Sequence, residues 1–189
     1  MTGILQAYVR VVDPFNRMIG RIVMYGIFVM MGILIWSSIS KVFLVPSLWT
    51  LEMAQFAMVA YYVLGGPYSI QMGSNVRMDL IYGEMSDRRK AAIDAVTVVF
   101  LLVYLVFLLY GGIASTAYSL GYFGSEPISF FAGLATGNAE LGFLERSPTS
   151  WRPYLWPIKV TLCVGIFLML LQAISELCKD IAKIRGVEL

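Results

Sequence analysis

The sequence of 189 residues contains no histidine and only two cysteines. Without histidine, a bis-histidine haem is excluded, and most zinc and di-iron sites lose their usual ligand. Cys163 and Cys178 have neither the spacing of metal ligands nor a disulfide pattern, so we expect both to be packing residues. The motifs of P-loop, dinucleotide-binding, nucleophile-elbow and metalloprotease enzymes are also missing. We therefore predict no enzyme activity and no cofactor.

Charge is scarce as well. Charged residues make up 14% of the chain, against roughly 25% in an average soluble domain. Hydrophobic residues make up 59%, and the mean hydropathy is +0.76. So much apolar surface must face lipid, which predicts an integral membrane protein. A net charge of +2 is too small to indicate a nucleic-acid partner.

Four apolar stretches are long enough to cross a hydrocarbon core of about 30 Å as helices. They are residues 22–43, 51–70, 91–118 and 157–177. The predicted fold class is therefore an all-α integral membrane protein with four transmembrane helices. Ten of the fourteen lysine and arginine residues flank one set of span ends. By the positive-inside rule, this places both termini in the cytoplasm.

The residues before the first span have apolar side chains at helical spacing, interrupted by charges. Asp13 and Pro14 resemble an N-cap and a first helical residue, so a helix is expected to start near Pro14. Upstream, the pattern fits either an interfacial helix or a loosely ordered tail. We divide the chain into an amphipathic segment 1–20, a four-helix domain 21–183 and a tail 184–189.

Local signals shape the connections between the spans. Gly-Gly-Pro at 65–67 is expected to kink or thin the second span, and Ser86 is expected to cap the third. The outer connection at 120–156 is too long for a simple turn, and loops of this size are usually functional or partly helical. Aromatic residues near its end suit the membrane interface, namely Trp151, Tyr154 and Trp156.

Polar residues at the span ends are the remaining candidate sites, because charges in lipid are costly. Glu52 and Gln55 fall on one face of the second span. A contact with another helix, an ion site and an acid favoured by the helix dipole all remain open for them. Arg77 and Asp79 fit either a solvated cytoplasmic loop or a membrane-parallel segment that docks on a partner.

The end of the fourth span is also charged. Glu176 and Asp180 alternate with Lys179 and Lys183, which predicts a solvated amphipathic helix end. No predicted span contains a mid-membrane cluster of charges, and no pair of spans is broken in a matching way, although these features usually mark a substrate site. The sequence therefore indicates an accessory subunit rather than a complete transporter.

Seven short motifs follow one another along the chain. They are WTLEMAQ at 49–55, LGG at 64–66, GSNVRMDL at 73–80, RR at 88–89, ERSPTSW at 145–151, WPIK at 156–159 and LLQ at 170–172. The first four resemble the small membrane (Q) subunit of tripartite ATP-independent periplasmic (TRAP) transporters. The last three are similar to its mannitol/chloroaromatic-type branch, whose characterised members include organic-acid carriers. One departure is Asn75, where the family commonly has histidine.

The resemblance implies a non-catalytic scaffold subunit in the bacterial inner membrane, in contact with membrane lipids. Its partners would be a large membrane (M) subunit, which carries the sodium and substrate sites, and a periplasmic substrate-binding (P) protein, which delivers an organic acid anion. Candidate contacts with the large subunit are Trp49, Glu52, Gln55, Arg77 and Asp79. Candidate docking residues for the binding protein are Glu126, Glu140 and Glu145.

Two alternatives belong to other classes. The small membrane subunit of a tripartite tricarboxylate carrier also has four spans, and only the motifs above argue against it. A self-sufficient small transporter, working as a homo-oligomer, would use Glu52 as its proton-coupled site.

Overall fold

The computed structural model describes residues 2–73 and 87–184. Its helices are α1 (Thr2–Val23), α2 (Gly26–Phe43), α3 (Thr50–Gln71), α4 (Asp87–Ser119), α5 (Pro127–Thr136) and α6 (Trp156–Ile184). Within these two ranges no strand forms, apart from one isolated bridge between Arg146 and Tyr154. The predicted all-α class is confirmed.

Several helices have the length and composition of membrane spans. In the described ranges, three helical stretches are long and apolar enough to cross a membrane, and they lie at Leu5–Phe43, Arg89–Ser119 and Trp156–Ile184. They contain the first, third and fourth predicted spans. The second predicted span corresponds to α3, which has 22 residues and includes Glu52 and Gln55, but α3 is not among these three stretches. The fourth crossing therefore stays a prediction.

α2 and α3 lie antiparallel, side by side. A side chain added at Gly26, at the start of α2, would meet the Tyr61 ring of α3. Eleven residues further along α2, Ser37 Oγ accepts a hydrogen bond from Thr50 Oγ1 at 3.1 Å, eleven residues back along α3. Because the two helices advance by equal steps in opposite directions, they pack along most of their length.

α6 is the central helix of the bundle and runs parallel to α3. Gly165 of α6 packs against Val63, where an added Cβ would lie only 2.9 Å from the Val63 carbonyl oxygen. One turn along, Gly66 of α3 packs against Met169 of α6. Glycine is needed at Gly165 because the backbone of α3 approaches too closely for a larger side chain, whereas at Gly66 the neighbouring atoms belong to the flexible side chain of Met169.

α4 lies antiparallel on another side of α6. Gly112 of α4 faces Cys163, and the Ser115 carbonyl accepts a hydrogen bond from Lys159 Nζ at 3.2 Å. Further along, Leu105 and Ile166 form the buried core of the bundle. The helices therefore follow the order α2, α3, α6, α4, with α6 the most buried of the membrane-length helices.

α1 begins at Thr2, so the start predicted near Pro14 is wrong, and Pro14 lies inside the helix. The reason is tertiary: residues upstream of Pro14 pack on the bundle, and Tyr8 Oη donates a hydrogen bond to the Leu171 carbonyl at 3.0 Å. Asp13 does not cap the helix, because its carboxylate binds α6 instead. The structure thus has a helix in place of a loosely ordered tail.

α1 crosses the end of α6 at a steep angle. Tyr8 and Asn16 lie about 12 Å apart along α1, yet they bond to neighbouring residues of α6, Leu171 and Gln172. Helices packed side by side would advance by similar distances along both chains. α1 therefore lies across the end of the bundle. The chain turns at residues 24–25, and α2 then runs along the length of the bundle.

The connection at 120–156 is partly helical, in agreement with its length. It contains α5, whose Phe130 packs on the end of α4. Residues 145–155 fold back on themselves and are called the hairpin from here on. Inside the hairpin, the Ser147 amide donates to the Pro153 carbonyl at 2.9 Å. The hairpin leads directly into α6.

Candidate functional site

Two networks of polar side chains lie at opposite ends of the bundle. The first, the α1 network, consists of Asp13, Asn16, Gln172, Ser175, Glu176 and Lys179. The second, the hairpin network, consists of Glu52, Glu145, Ser147 and Lys159. Each network therefore contains two carboxylates and one lysine, but the two are connected differently.

Lys179 lies at the centre of the α1 network. Its Nζ atom is 2.5 Å from Asp13 Oδ2 and 2.8 Å from Glu176 Oε1. The other Asp13 oxygen accepts hydrogen bonds from Ser175 Oγ at 2.7 Å and Gln172 Nε2 at 3.1 Å. One ammonium group thus serves both carboxylates, and charge-assisted hydrogen bonds join α1 to α6.

Two amides, the buried Asn16 and the half-buried Gln71, attach the α1 network to two helices. Asn16 is 1% exposed and donates to Gln172 Oε1 at 2.8 Å, whereas Gln71 of α3 donates to the Asp13 carbonyl at 3.2 Å. The carbonyl oxygens of both amides, Asn16 Oδ1 and Gln71 Oε1, have no hydrogen-bond partner within the described residues. These bonds attach α1 to two helices at once, which holds it across the end of the bundle.

The prediction of a solvated end for α6 is wrong for most of its charges. Glu176 and Lys179 turn towards Asp13, and Asp180 is only 7% exposed. Lys183 alone fits the prediction, with a largely exposed side chain. The charge pattern of α6 gave no sign of Asp13, because that residue is more than 150 positions away in the sequence.

The hairpin network is built around a buried carboxylate. Glu52, in the first turn of α3, is only 5% exposed. Its Oε1 atom accepts a hydrogen bond from Ser147 Oγ at 3.2 Å, whereas Oε2 is buried and has no partner among the described residues. Glu52 therefore fastens the hairpin to α3, and it turns into the chain rather than towards its surface.

The second carboxylate of this network forms an ion pair. Glu145 Oε2 lies 2.6 Å from Lys159 Nζ, which joins the hairpin to α6. One carboxylate oxygen of Glu145 is therefore already bound to a lysine of the same chain. The other two candidates for docking the binding protein, Glu126 and Glu140, are exposed, and Glu126 directly precedes α5.

The candidates for contact with the large subunit fall into different environments. Gln55 is exposed although Glu52, one turn earlier, is buried, and Trp49 is 37% exposed. Arg77 and Asp79 lie outside the described residues, as do Asn75 and Ser86. No group of three or more cysteine, aspartate or glutamate residues is arranged to hold a metal ion in the described ranges.

An exposed row on α3 adds to these candidates. It is called the α3 row and consists of Leu51, Gln55, Met58 and Tyr62. Its members recur every three or four residues, which is the spacing of a seam between two packed helices. Sequence reasoning singled out Gln55 but missed the row, although the spacing was visible.

The sequence alone did not predict the α1 network, although it contains one signal of it. Gln172 lies inside the predicted fourth span, and a buried amide in an apolar helix requires a hydrogen-bonding partner. Asn16, whose position before the first span gave no hint of burial, is that partner.

Comparison with known proteins gives one result. The family described as tripartite ATP-independent periplasmic transporters, DctQ component, matches residues 30–183. No curated protein and no solved structure gives a match. The match covers α3 to α6 with most of α2 and includes the hairpin network and the α3 row. The chain therefore belongs to the DctQ component family of TRAP transporters.

Proposed function

We propose that the chain is the scaffold subunit of a sodium-coupled TRAP transporter that imports an organic acid anion delivered by a periplasmic binding protein. The family match over residues 30–183 carries this proposal. The arrangement of polar groups supports it, because the two networks lie at the ends of the bundle and its core between them is apolar. A solute pathway would need polar groups at mid-membrane depth.

In this proposal the chain crosses the bacterial inner membrane four times, with both termini in the cytoplasm. The packing of α3 supports the fourth crossing, since α3 runs beside α2 and α6, both of which lie in membrane-length apolar stretches. Its 22 residues correspond to about 33 Å, enough for a hydrocarbon core. Cysteine accessibility at the hairpin and at the N-terminus, measured in intact cells and in inverted vesicles, tests this orientation.

The α3 row is the proposed contact with the large membrane subunit. An exposed glutamine in a membrane helix is costly unless a neighbouring helix offers a hydrogen bond, and Gln55 lies in the middle of an otherwise apolar row. Trp49 extends the same surface at the end of α3. Glu52 acts indirectly, by holding the hairpin beside this surface through Ser147.

Co-purification tests this contact. Gln55→Ala and Tyr62→Ala should each lower the amount of large subunit that purifies with the tagged chain. The matched control is Phe107→Ala on α4, which removes an aromatic ring of similar exposure from a different helix, at a position that we propose faces lipid. If Tyr62→Ala and Phe107→Ala lower the recovery of the large subunit equally, the assignment of the α3 row as the contact is contradicted.

Arg77 and Asp79 keep their proposed role in subunit contact. The experiment is the same co-purification with Arg77→Ala and Asp79→Ala, and reduced recovery of the large subunit is expected. Unchanged assembly and unchanged solute uptake would refute both assignments.

The binding protein is proposed to dock on the exposed acidic residues of the 120–156 connection. Charge reversal by Glu126→Lys or Glu140→Lys should slow uptake at low binding-protein concentration without changing assembly, because rim charges act mainly on association. Glu145→Lys should instead disturb the hairpin, since Glu145 pairs with Lys159. If neither charge reversal at the two exposed glutamates changes uptake, the binding protein docks on another surface.

The transport reaction itself requires the complete system. Liposomes that contain the chain, the large subunit and the binding protein should take up a radiolabelled 2-oxo or 2-hydroxy acid in response to a sodium gradient. Omission of the chain should abolish or strongly reduce that uptake. The family match already favours a TRAP component over the small subunit of a tricarboxylate carrier.

A further inference from the structure

We propose that α1 is an in-plane membrane anchor whose groove between Arg17 and Arg21 on one side and Met18 and Ile22 on the other binds an anionic phospholipid headgroup. The inference rests on the proposed membrane topology, but it assigns a ligand site that the scaffold role does not require. It is carried by the orientation of α1, the division of its surface and the groove itself.

The orientation of α1 follows from its contacts. Because Tyr8 and Asn16 both bond to the same turn of α6, α1 lies across that helix. If α6 crosses the membrane, α1 lies close to the membrane plane. The α1 network and the contact of Gly20 with Tyr68 of α3 hold it there.

The surface of α1 is divided into three faces. One face packs on the bundle, and its residues are Tyr8, Val12, Asn16 and Gly20. The second is apolar yet between 52% and 70% exposed, and it consists of Val11, Phe15, Met18 and Ile22. The third is basic and exposed, and it consists of Arg10, Arg17 and Arg21. This is the arrangement of a helix that lies at a membrane surface, with apolar residues in the acyl region and arginines among the headgroups.

A groove of about 430 Å³ runs along α1 between the basic and apolar faces. Arg17 and Arg21 line it on one side, and Met18 and Ile22 line it on the other. Arg17 and Arg21 are one turn apart, so both guanidinium groups can bind one phosphate. The apolar side is suited to the first methylene groups of the acyl chains.

The charges around the groove favour an anion. Asp13 also lines the groove, but its carboxylate already contacts Lys179, Ser175 and Gln172. Within the described residues, no ion pair joins Arg17 or Arg21 to a carboxylate. Among the residues that the structure describes, the two arginines therefore have no acidic partner, and they present their positive charge at the depth where phosphates lie.

Lipid retention by the purified full-length chain tests the proposal. The chain is exchanged into mixed micelles that contain phosphatidylglycerol and phosphatidylcholine, and bound lipids are counted by native mass spectrometry. The unmodified chain should retain phosphatidylglycerol in preference to phosphatidylcholine. Arg17→Gln and Arg21→Gln should each lower that retention about fivefold, and the double variant should lower it further.

The matched control is Lys41→Gln with Arg152→Gln, which removes the same charge from exposed sites away from α1 and should leave retention unchanged. A second measurement needs no variant: raising the salt concentration should release phosphatidylglycerol from the unmodified chain. Equal retention of the two lipids, or equal retention by the double variant and the unmodified chain, would overturn the proposal.

A further outcome separates lipid from protein partners. If the double variant keeps its lipid but loses the large subunit in co-purification, the basic face is a subunit contact and the lipid site is wrong. If lipid retention falls while co-purification through the α3 row is unchanged, both proposals stand. A failure of the lipid site therefore leaves the scaffold proposal to its own experiment.

Discussion

The α1 network and the hairpin network contain the same charged groups but differ in completeness. In the α1 network, Lys179 contacts both carboxylates, Asp13 and Glu176. In the hairpin network, Lys159 contacts Glu145, whereas the buried Glu52 receives one hydroxyl hydrogen bond and keeps an oxygen without a partner within the described residues. The first network is called closed because both of its carboxylates contact the lysine, although the amide oxygen of Asn16 has no partner within the described residues. The second is called open because its buried carboxylate, Glu52, has no cationic partner among those residues.

This difference in ion pairing indicates different roles for the two networks. A closed ion-pair network fixes an element in place, and here it holds α1 across the bundle. A buried carboxylate that lacks a cation costs stability in the isolated chain. Such a group is expected near a surface that is completed by another protein, and Glu52 lies beside the α3 row. We therefore expect substitutions in the α1 network to lower the stability of the chain, and substitutions in the hairpin network to affect mainly its assembly with the large subunit.

The largest effect is expected for Lys179→Met, which breaks the closed network. It leaves two carboxylates side by side without their ammonium group, and removal of one partner from a buried pair costs about 3 kcal/mol or more. Because Lys179 and its partners are about one-fifth exposed, we expect about 2 kcal/mol after solvent screening. Denaturant unfolding in detergent measures the loss, and protease sensitivity of α1 reports its detachment.

Lys183→Met is the matched control for this experiment. Lys183 lies one turn further along α6, and its side chain is 70% exposed. Its replacement should change stability little. Similar losses at both lysines would mean that the closed network does not hold α1.

A second substitution tests the helix contact that lies between the two networks. Gly165→Ala places a methyl group against Val63, so α3 and α6 must move apart. Such overpacking costs about 1–3 kcal/mol. Thermal unfolding of Gly165→Ala should therefore occur at a lower temperature than that of Gly111→Ala, since an added Cβ at Gly111 meets no neighbouring atom. The reverse order would contradict the close approach of α3 and α6.

A pair of isosteric substitutions sharpens the comparison directly. Asp13→Asn removes a charge that Lys179 compensates, and we expect it to cost about 1 kcal/mol. Glu52→Gln removes a charge without a cationic partner in the described residues, so the isolated chain should be equally stable or more stable. Denaturant midpoints of the two variants give the comparison. Equal destabilisation at the two sites would remove the distinction between a closed and an open network.

The smallest effect is expected at the second carboxylate of the hairpin network. Glu145 and Lys159 are 30% and 20% exposed, so Glu145→Gln should cost about 0.5 kcal/mol, as partly solvated ion pairs do. The loss should diminish at high salt because salt screens the pair. A loss as large as that of Lys179→Met would show that the hairpin end is also a closed structural network.

The sequence predicted the helices well because membrane spans depend on local properties. Apolar length and hydropathy are visible in any window of the chain, and α2, α4 and α6 agree with three of the predicted spans. The beginning of α1 could not be found in this way. Pro14 interrupts the local signal, and the bonds that stabilise the helix upstream come from α6, far away in the sequence.

The polar sites were harder to predict for the same reason. Glu52 was identified as a candidate because an acid in a span is conspicuous, but its burial depends on Ser147, which is 95 positions away. The partnership of Asp13 with Lys179 is even more distant in the sequence, and each residue alone fits an ordinary local role. Residue types predict which groups need partners, whereas the tertiary fold decides which partners they obtain.

The most direct test of the scaffold role is solute flux through the purified chain alone. Proteoliposomes that contain only this chain should take up organic acids, and conduct protons, no faster than empty liposomes under an imposed sodium or proton gradient. Uptake should appear only when the large subunit and the binding protein are added. Flux through the chain by itself, abolished by Glu52→Gln, would contradict the account and identify a self-sufficient transporter.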